Sequence, residues 1–168
     1  LAVNMDVVKE GNERVLSARL YDAAFFWNED RKRTLEEMTN DLKNIIYQEQ
    51  LGSLYEKVQR IRKLSSVLTE KLGKNKILPM IDRAASISKA DISSSMVYEF
   101  PEVQGIMGRE YAKKAGEDKR VSLAMYEQYL PRFSGDEIPT DDIGAIIGLA
   151  ERIDIITSIF KIGQEPTS

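Results

Sequence analysis

The chain has 168 residues, 42% hydrophobic and 30% charged, with 24 Lys plus Arg against 27 Asp plus Glu and a formal charge of −3; this is the balance of one folded domain with enough chain to bury a core. It contains neither histidine nor cysteine, which removes disulfides, thiolate metal sites, the commonest general base and every Ser-His-Asp or Cys-His arrangement. No apolar run approaches the about 20 residues needed to span a bilayer, so a membrane protein is not expected and the cytoplasm is the default compartment.

Leu1 is not an initiator Met, and Leu1-Ala2-Val3-Asn4 reads as the tail of a strand or loop entered from upstream, so an excerpt of a longer polypeptide is expected. A first helix is predicted from about Asn12 to Trp27, dense in apolar residues, and the charged stretch Asn28 to Arg33 ends it. Thr34-Leu35-Glu36-Glu37 is a capping box, and Leu35, Met38, Leu42 and Ile45 follow at helical spacing. Ser53-Leu54-Tyr55-Glu56 is a second one. It opens a helix with Val58, Ile61, Leu64, Leu68 and Leu72 on one face and Gly73 as its stop. Pro79 suits the first turn of a helix predicted to reach about Tyr98, and Pro101 starts another that ends near Gly116. Asp118 caps a helix that stops before Pro131, and Asp141 or Asp142 caps the last, which runs to about Gly163. About seven helices without an alternating strand pattern make an all-α bundle. Residues 1–45 are read as a helical segment entering from an upstream domain, and 46–168 as the helical domain proper, the two forming one compact unit.

The charge is segregated. Residues 1–56 carry a net −4, residues 57–89 a net +7 and residues 90–168 a net −6. On the helix that starts at Leu54, Lys57, Arg60 and Lys71 share a flank at about 100° per residue, Lys63 lies further round, and Lys74 and Lys76 follow the helix end. A rigid basic flank holds cations at a spacing that phosphates can use, although a solvated helix face is the blander reading. Arg31-Lys32-Arg33 and Lys113-Lys114 are each interleaved with acids and read as mixed surface turns. Gly105 and Gly108, inside a predicted helix, call for a compensating close approach between helices. Asp91 and Asp154 sit on apolar segments beside Lys89 and Arg152. Such a pair could do acid–base work or bind Mg²⁺, but carboxylates paired with a neighbouring cation or a helix terminus are commoner.

Several blocks together resemble the β subunit of bacterial glycyl-tRNA synthetase. They are Gly11-Asn12-Glu13-Arg14-Val15-Leu16-Ser17-Ala18-Arg19-Leu20, Leu51-Gly52-Ser53-Leu54-Tyr55-Glu56-Lys57, Met96-Val97-Tyr98-Glu99-Phe100-Pro101-Glu102-Val103-Gln104-Gly105, Tyr129-Leu130-Pro131-Arg132-Phe133, Ala150-Glu151-Arg152-Ile153-Asp154 and Gly163-Gln164-Glu165-Pro166-Thr167. The resemblance implies an α2β2 enzyme that joins glycine to its tRNA. The α subunit would carry the ATP- and Mg-dependent active site, leaving no cofactor here, and the β subunit would mainly bind tRNA. It also implies an HD-like helical domain. Ala90-Asp91 stands where that family's His-Asp would be, and Asp154 near its distal Asp, so the expected metal site is vestigial and the chain itself non-catalytic. Gln128 and Arg152 depart from the family's usual His and Lys.

On this resemblance Lys57, Arg60, Lys63, Lys71, Lys74 and Lys76 become candidate tRNA contacts, with Arg109 and Arg132 as weaker additions. The alternative is a scaffold that docks other β-subunit domains or the α subunit without touching RNA. A residual metal-dependent phosphohydrolase using Asp91 and Asp154 ranks last.

Overall fold

In a computed structural model, residues 5–164 are described; residues 1–4 and 165–168, and with them most of the closing Gly163-Gln164-Glu165-Pro166-Thr167 block, lie outside them. Eight α-helices account for most of this span: α1 (Met5–Asp30), α2 (Leu35–Asp41), α3 (Leu54–Lys71), α4 (Leu78–Ser86), α5 (Ser95–Glu99), α6 (Ile106–Lys114), α7 (Lys119–Glu127) and α8 (Asp142–Lys161). The protein is all-α. A small antiparallel hairpin of β1 (Ile46–Gln48) and β2 (Gly52–Ser53), not anticipated from the sequence, leads into α3. Its pairing covers few residues, too few to leave a readable alternation.

Both capping boxes form. The Thr34 hydroxyl accepts the Glu37 N–H at 3.1 Å while the Glu37 carboxylate accepts the Thr34 N–H at 2.7 Å, and Ser53 and Glu56 repeat the exchange at 3.3 and 2.7 Å. Gly73 stops α3 at a φ of +67°, and Asp118 and Asp141 cap α7 and α8.

Helix α3 is the hub, packed against α4 on one side and α8 on the other, while α7 bridges α6 and α8. Val58, Ile61, Ile81, Ile87, Met125, Ile143 and Ile147 are fully buried, and Leu35 and Met38 from α2 belong to the same cluster as Ile61 and Ile147. Each such side chain withdrawn from water contributes about 1.5–3 kcal/mol.

Two predicted helices differ. The one expected to run from Pro79 to Tyr98 is two, α4 and α5, separated by a 3-10 turn at Ala90–Ser93. The Ser94 hydroxyl accepts the Val97 N–H and donates to the Asp91 carbonyl, and the Asp30 carboxylate accepts the Ser95 and Met96 N–H groups at 2.9 Å. These bonds restart the helix where continuous periodicity would have carried it on. The helix expected from Pro101 begins instead at Ile106, because Gly105 takes a φ of +80° and only a 3-10 turn precedes it.

Helix α1 is longer than predicted at both ends. Ala23, Phe26 and Trp27 near its end pack on the core, with Trp27 stacked on Tyr111 at 5.4 Å. Further back, Val15, Leu16, Leu20 and Tyr21 are exposed by 60 to 77%.

Candidate nucleic-acid interface

Most cations of the basic middle segment are engaged by the protein's own carboxylates. Lys57 is 3% exposed; its ammonium lies 3.6 Å from one Glu151 oxygen and 4.0 Å from the Tyr47 ring centroid. Lys89 is as deeply buried and donates to the other Glu151 oxygen at 2.7 Å, with the Tyr129 ring 3.8 Å away. Arg60 grips Asp154 through two bonds of 2.7 and 3.3 Å and donates to the Leu51 carbonyl at 3.1 Å. Arg62 forms a fork with Asp82, Arg83 reaches Glu36 and Glu117, and Lys74 pairs with Asp142 at 2.5 Å. Four of these acids, Glu117, Asp142, Glu151 and Asp154, come from the acidic segment 90–168. The charge segregation along the sequence is therefore closed largely by tertiary ion pairing, with Lys57, Arg60, Lys74 and Lys89 all meeting carboxylates of α8.

This corrects the expectation for three residues. Lys57, Arg60 and Lys74 were candidate phosphate contacts, but they face carboxylates: Lys57 and Arg60 where α3 meets α8, and Lys74, past the end of α3, at Asp142 in the first turn of α8. Among the described residues, Lys63, Lys71 and Lys76 stay exposed and without an ion pair or hydrogen-bond partner. Of the weaker candidates, Arg109 pairs with Glu110 at 2.9 Å and lies over the Tyr126 ring. Arg132 is held by Asp136 through its backbone N–H at 2.8 Å and its guanidinium at 2.9 Å.

Burial pushes the Lys89 ammonium below its ordinary range, against the opposing pull of Glu151. Burial likewise pushes the Asp91 carboxyl up, opposed first by the Gly105 N–H and then by Lys89. The Tyr129 phenol is raised well above its usual value by burial and then by Asp91. Tyr129 and Glu151 also line an open groove with Gln104 and Arg152.

The two carboxylates considered for a metal have separate partners. One Asp91 oxygen accepts the Gly105 and Gly108 N–H groups at 2.7 and 3.1 Å, so Asp91 tethers the start of α6. Asp154 belongs to Arg60. Among the described residues no group of three or more His, Cys, Asp or Glu side chains is placed to hold an ion. The close approach expected at the two glycines is present: a Cβ on Gly105 would sit 2.6 Å from the Tyr129 ring, and one on Gly108 would sit 3.1 Å from the Asp91 carboxylate.

Gln128 and Arg152 both have structural roles. The Gln128 amide donates to the Ser88 and Met125 carbonyls at 2.5 and 3.1 Å. Arg152 donates to the Gly148, Leu130 and Pro131 carbonyls at 2.9 to 3.0 Å. Sequence reading missed Glu151, Asp30 and Glu127, the last accepting the Thr140 and Asp141 N–H groups at 2.8 and 3.1 Å ahead of α8. Glu127 carried a signal, an acid among the apolar positions of α7. Asp30 carried none, since its partners lie 65 and 81 residues away.

The fold is that of an all-helical bundle domain with three lysines free of ion pairs on its central helix and the turn after it; no helix among the described residues is long and apolar enough to cross a membrane. The family model of the glycyl-tRNA synthetase beta subunit matches residues 2–168, and the chain belongs to that family. It is 49% identical over 166 residues to the glycine–tRNA ligase beta subunit of Syntrophotalea carbinolica, covering 99% of this chain and 24% of that protein. The corresponding protein of Syntrophomonas wolfei is 48% identical over 163 residues, and that of Geobacter sulfurreducens 48% over 167, each with 24% of its length covered. The chain thus spans about a quarter of the length of the curated relatives it matches.

Proposed function

We propose that this chain is a non-catalytic, HD-like helical domain of the β subunit of glycine–tRNA ligase. It supports the binding of glycine-specific tRNA in the cytoplasm while the α subunit of an α2β2 assembly performs ATP- and Mg-dependent aminoacylation. The observation that carries the tRNA role is what remains of the +7 segment once its internal pairs are set aside: Lys63, Lys71 and Lys76, exposed and unpaired. Lys63 and Lys71 stand about 12 Å apart along α3 at the helical rise per residue, far enough to meet different phosphates of one strand. In the full-length subunit bound to its α partner, changing all three lysines to Glu should weaken tRNA binding and make its dependence on salt shallower by about 2 to 3 in log–log slope. Binding unchanged at both low and high salt would refute the tRNA role of this face.

Helix α1 favours a second reading, the scaffold. Val15, Leu16, Leu20 and Tyr21 on this helix are large apolar side chains left open to solvent, as a docking surface would leave them. On this reading α1 docks another β-subunit domain or the α subunit. Hydrogen exchange then separates the two roles: amides of α1 gain protection on adding the α subunit, and those around Lys63 to Lys76 on adding tRNA.

A further inference from the structure

Two short basic clusters that the sequence separates by about eighty residues, each unremarkable alone, are brought together by the fold. The turn after α1 (Arg31, Lys32, Arg33) and the last turn of α6 (Lys114) line one groove of about 630 Å³ with Asn28, Glu29 and Tyr111. Four cations face a single acid there. Arg33 is committed to Asp41 and to the Ser93 carbonyl, and Lys32 bonds Glu29 at 2.6 Å through an exposed contact that water and salt weaken. Arg31 and Lys114 are exposed and have no side-chain partner.

Cations at helix carboxyl ends often serve only to offset the terminal carbonyls. Those carbonyls are already engaged here. Ala115, Gly116 and Glu117 donate back to Tyr111, Lys113 and Ala112 at 2.9 to 3.1 Å, and Arg31, Lys32 and Arg33 donate through their own N–H groups to Trp27, Glu29 and Asp30 at 3.0 to 3.3 Å. The nearby Asp30 carboxylate is buried and taken up by the Ser95 and Met96 N–H groups and the Tyr111 hydroxyl, each at 2.9 Å, and it forms no ion pair with the groove's cations. The groove floor is rigid, since Tyr111 is fixed by that hydroxyl bond and by its stack on Trp27.

We infer that this groove is a second phosphate-binding site for the backbone of the same RNA, with Arg31 and Lys114 as its principal contacts, Lys32 able to exchange Glu29 for a phosphate, and Asn28 supplying an uncharged donor. The inference rests on the tRNA-binding reading above but uses different elements, α1 and α6 in place of α3. Arg31 presents a planar fork suited to two oxygens of one phosphate, and Lys114 a point charge. Contacts of this kind to phosphate oxygens add affinity and register and carry no sequence information of their own.

The test uses the full-length subunit with its α partner and a glycine tRNA transcript. The variant Arg31→Gln with Lys114→Gln removes two charges from exposed side chains that hold nothing in place. It should bind tRNA about tenfold more weakly near 100 mM salt, with a salt slope shallower by about 1.5 to 2. Its melting temperature should be unchanged, and the single variant Lys114→Gln should show about half the slope change. An unchanged slope while the α3 lysine variant loses its own would overturn the groove and leave the α3 site standing. A reduced slope in the groove variant alone would support the groove and remove the α3 site; unchanged slopes in both would end both. Weakened association with the α subunit while tRNA binding stays intact would also overturn the inference, since the groove would then serve an acidic protein surface.

Discussion

Asp91 is the residue at which a catalytic and a structural role part most clearly. Its carboxylate is 1% exposed and accepts the N–H groups of Gly105 and Gly108. Replacing it with Ala orphans two buried donors, at about 1–3 kcal/mol each. Asn keeps one carbonyl oxygen where both donors converge. Asp91→Asn should therefore melt within a few degrees of the parent chain, and Asp91→Ala far below it; equal losses would mean that the negative charge itself is required. The pH dependence points the same way. Burial holds this carboxyl above 3.8, so its share of stability is fully present below that value and lost as pH rises through the folded pKa. The Asn variant should lose that part of the profile. The motif around Asp91 was legible in the sequence, but its use as a tether for α6 was not, because neither glycine's position follows from spacing.

At the scale of elements, helix starts signalled by local side chains were legible: both capping boxes, Asp118 and Asp141 all cap as their neighbours suggest. The segment from 78 to 114 was not, because its breaks are set from a distance. Asp30 on α1 holds the start of α5, and Tyr129 on the turn after α7 closes over Gly105. Two glycines with similar backbones separate local from tertiary cause. Gly73 has a φ of +67° and nothing within 4 Å of an added Cβ, so Gly73→Ala should cost only the left-handed penalty of about 1–2 kcal/mol. Gly105 has a φ of +80° and the Tyr129 ring at 2.6 Å, so Gly105→Ala should cost at least about 1–3 kcal/mol more, the price of overpacking. Thermal unfolding of the two variants side by side checks the ordering; equal losses would mean that Tyr129 swings away freely.

The whole molecule is held by charge as well as by apolar burial. Its segments were legible as opposed in sign; that they pair with one another was not, because one-dimensional charge says nothing about which faces meet. The placement of the buried Lys57–Glu151–Lys89 arrangement depends on α3 and α8 lying side by side. Opposed carboxylates set the acid limit. The Arg62 fork lowers the Asp82 carboxyl, Arg120 lowers Asp141, and Arg83 lowers Glu36. Their contributions are complete above the ordinary carboxylate range and fade as pH falls through the lowered values. Stability should accordingly decline below about pH 4, and Asp82→Asn should flatten part of that decline in acid-titrated melts. The most direct test of the charge closure is a double-mutant cycle across Arg60 and Asp154, read by native-state hydrogen exchange of α8 amides in the full-length subunit. With Arg60→Gln, Asp154→Asn and the double variant, the opening free energy should show a coupling of about 1–3 kcal/mol. Effects that add to within about 0.5 kcal/mol would show that the two helices meet without their charges mattering.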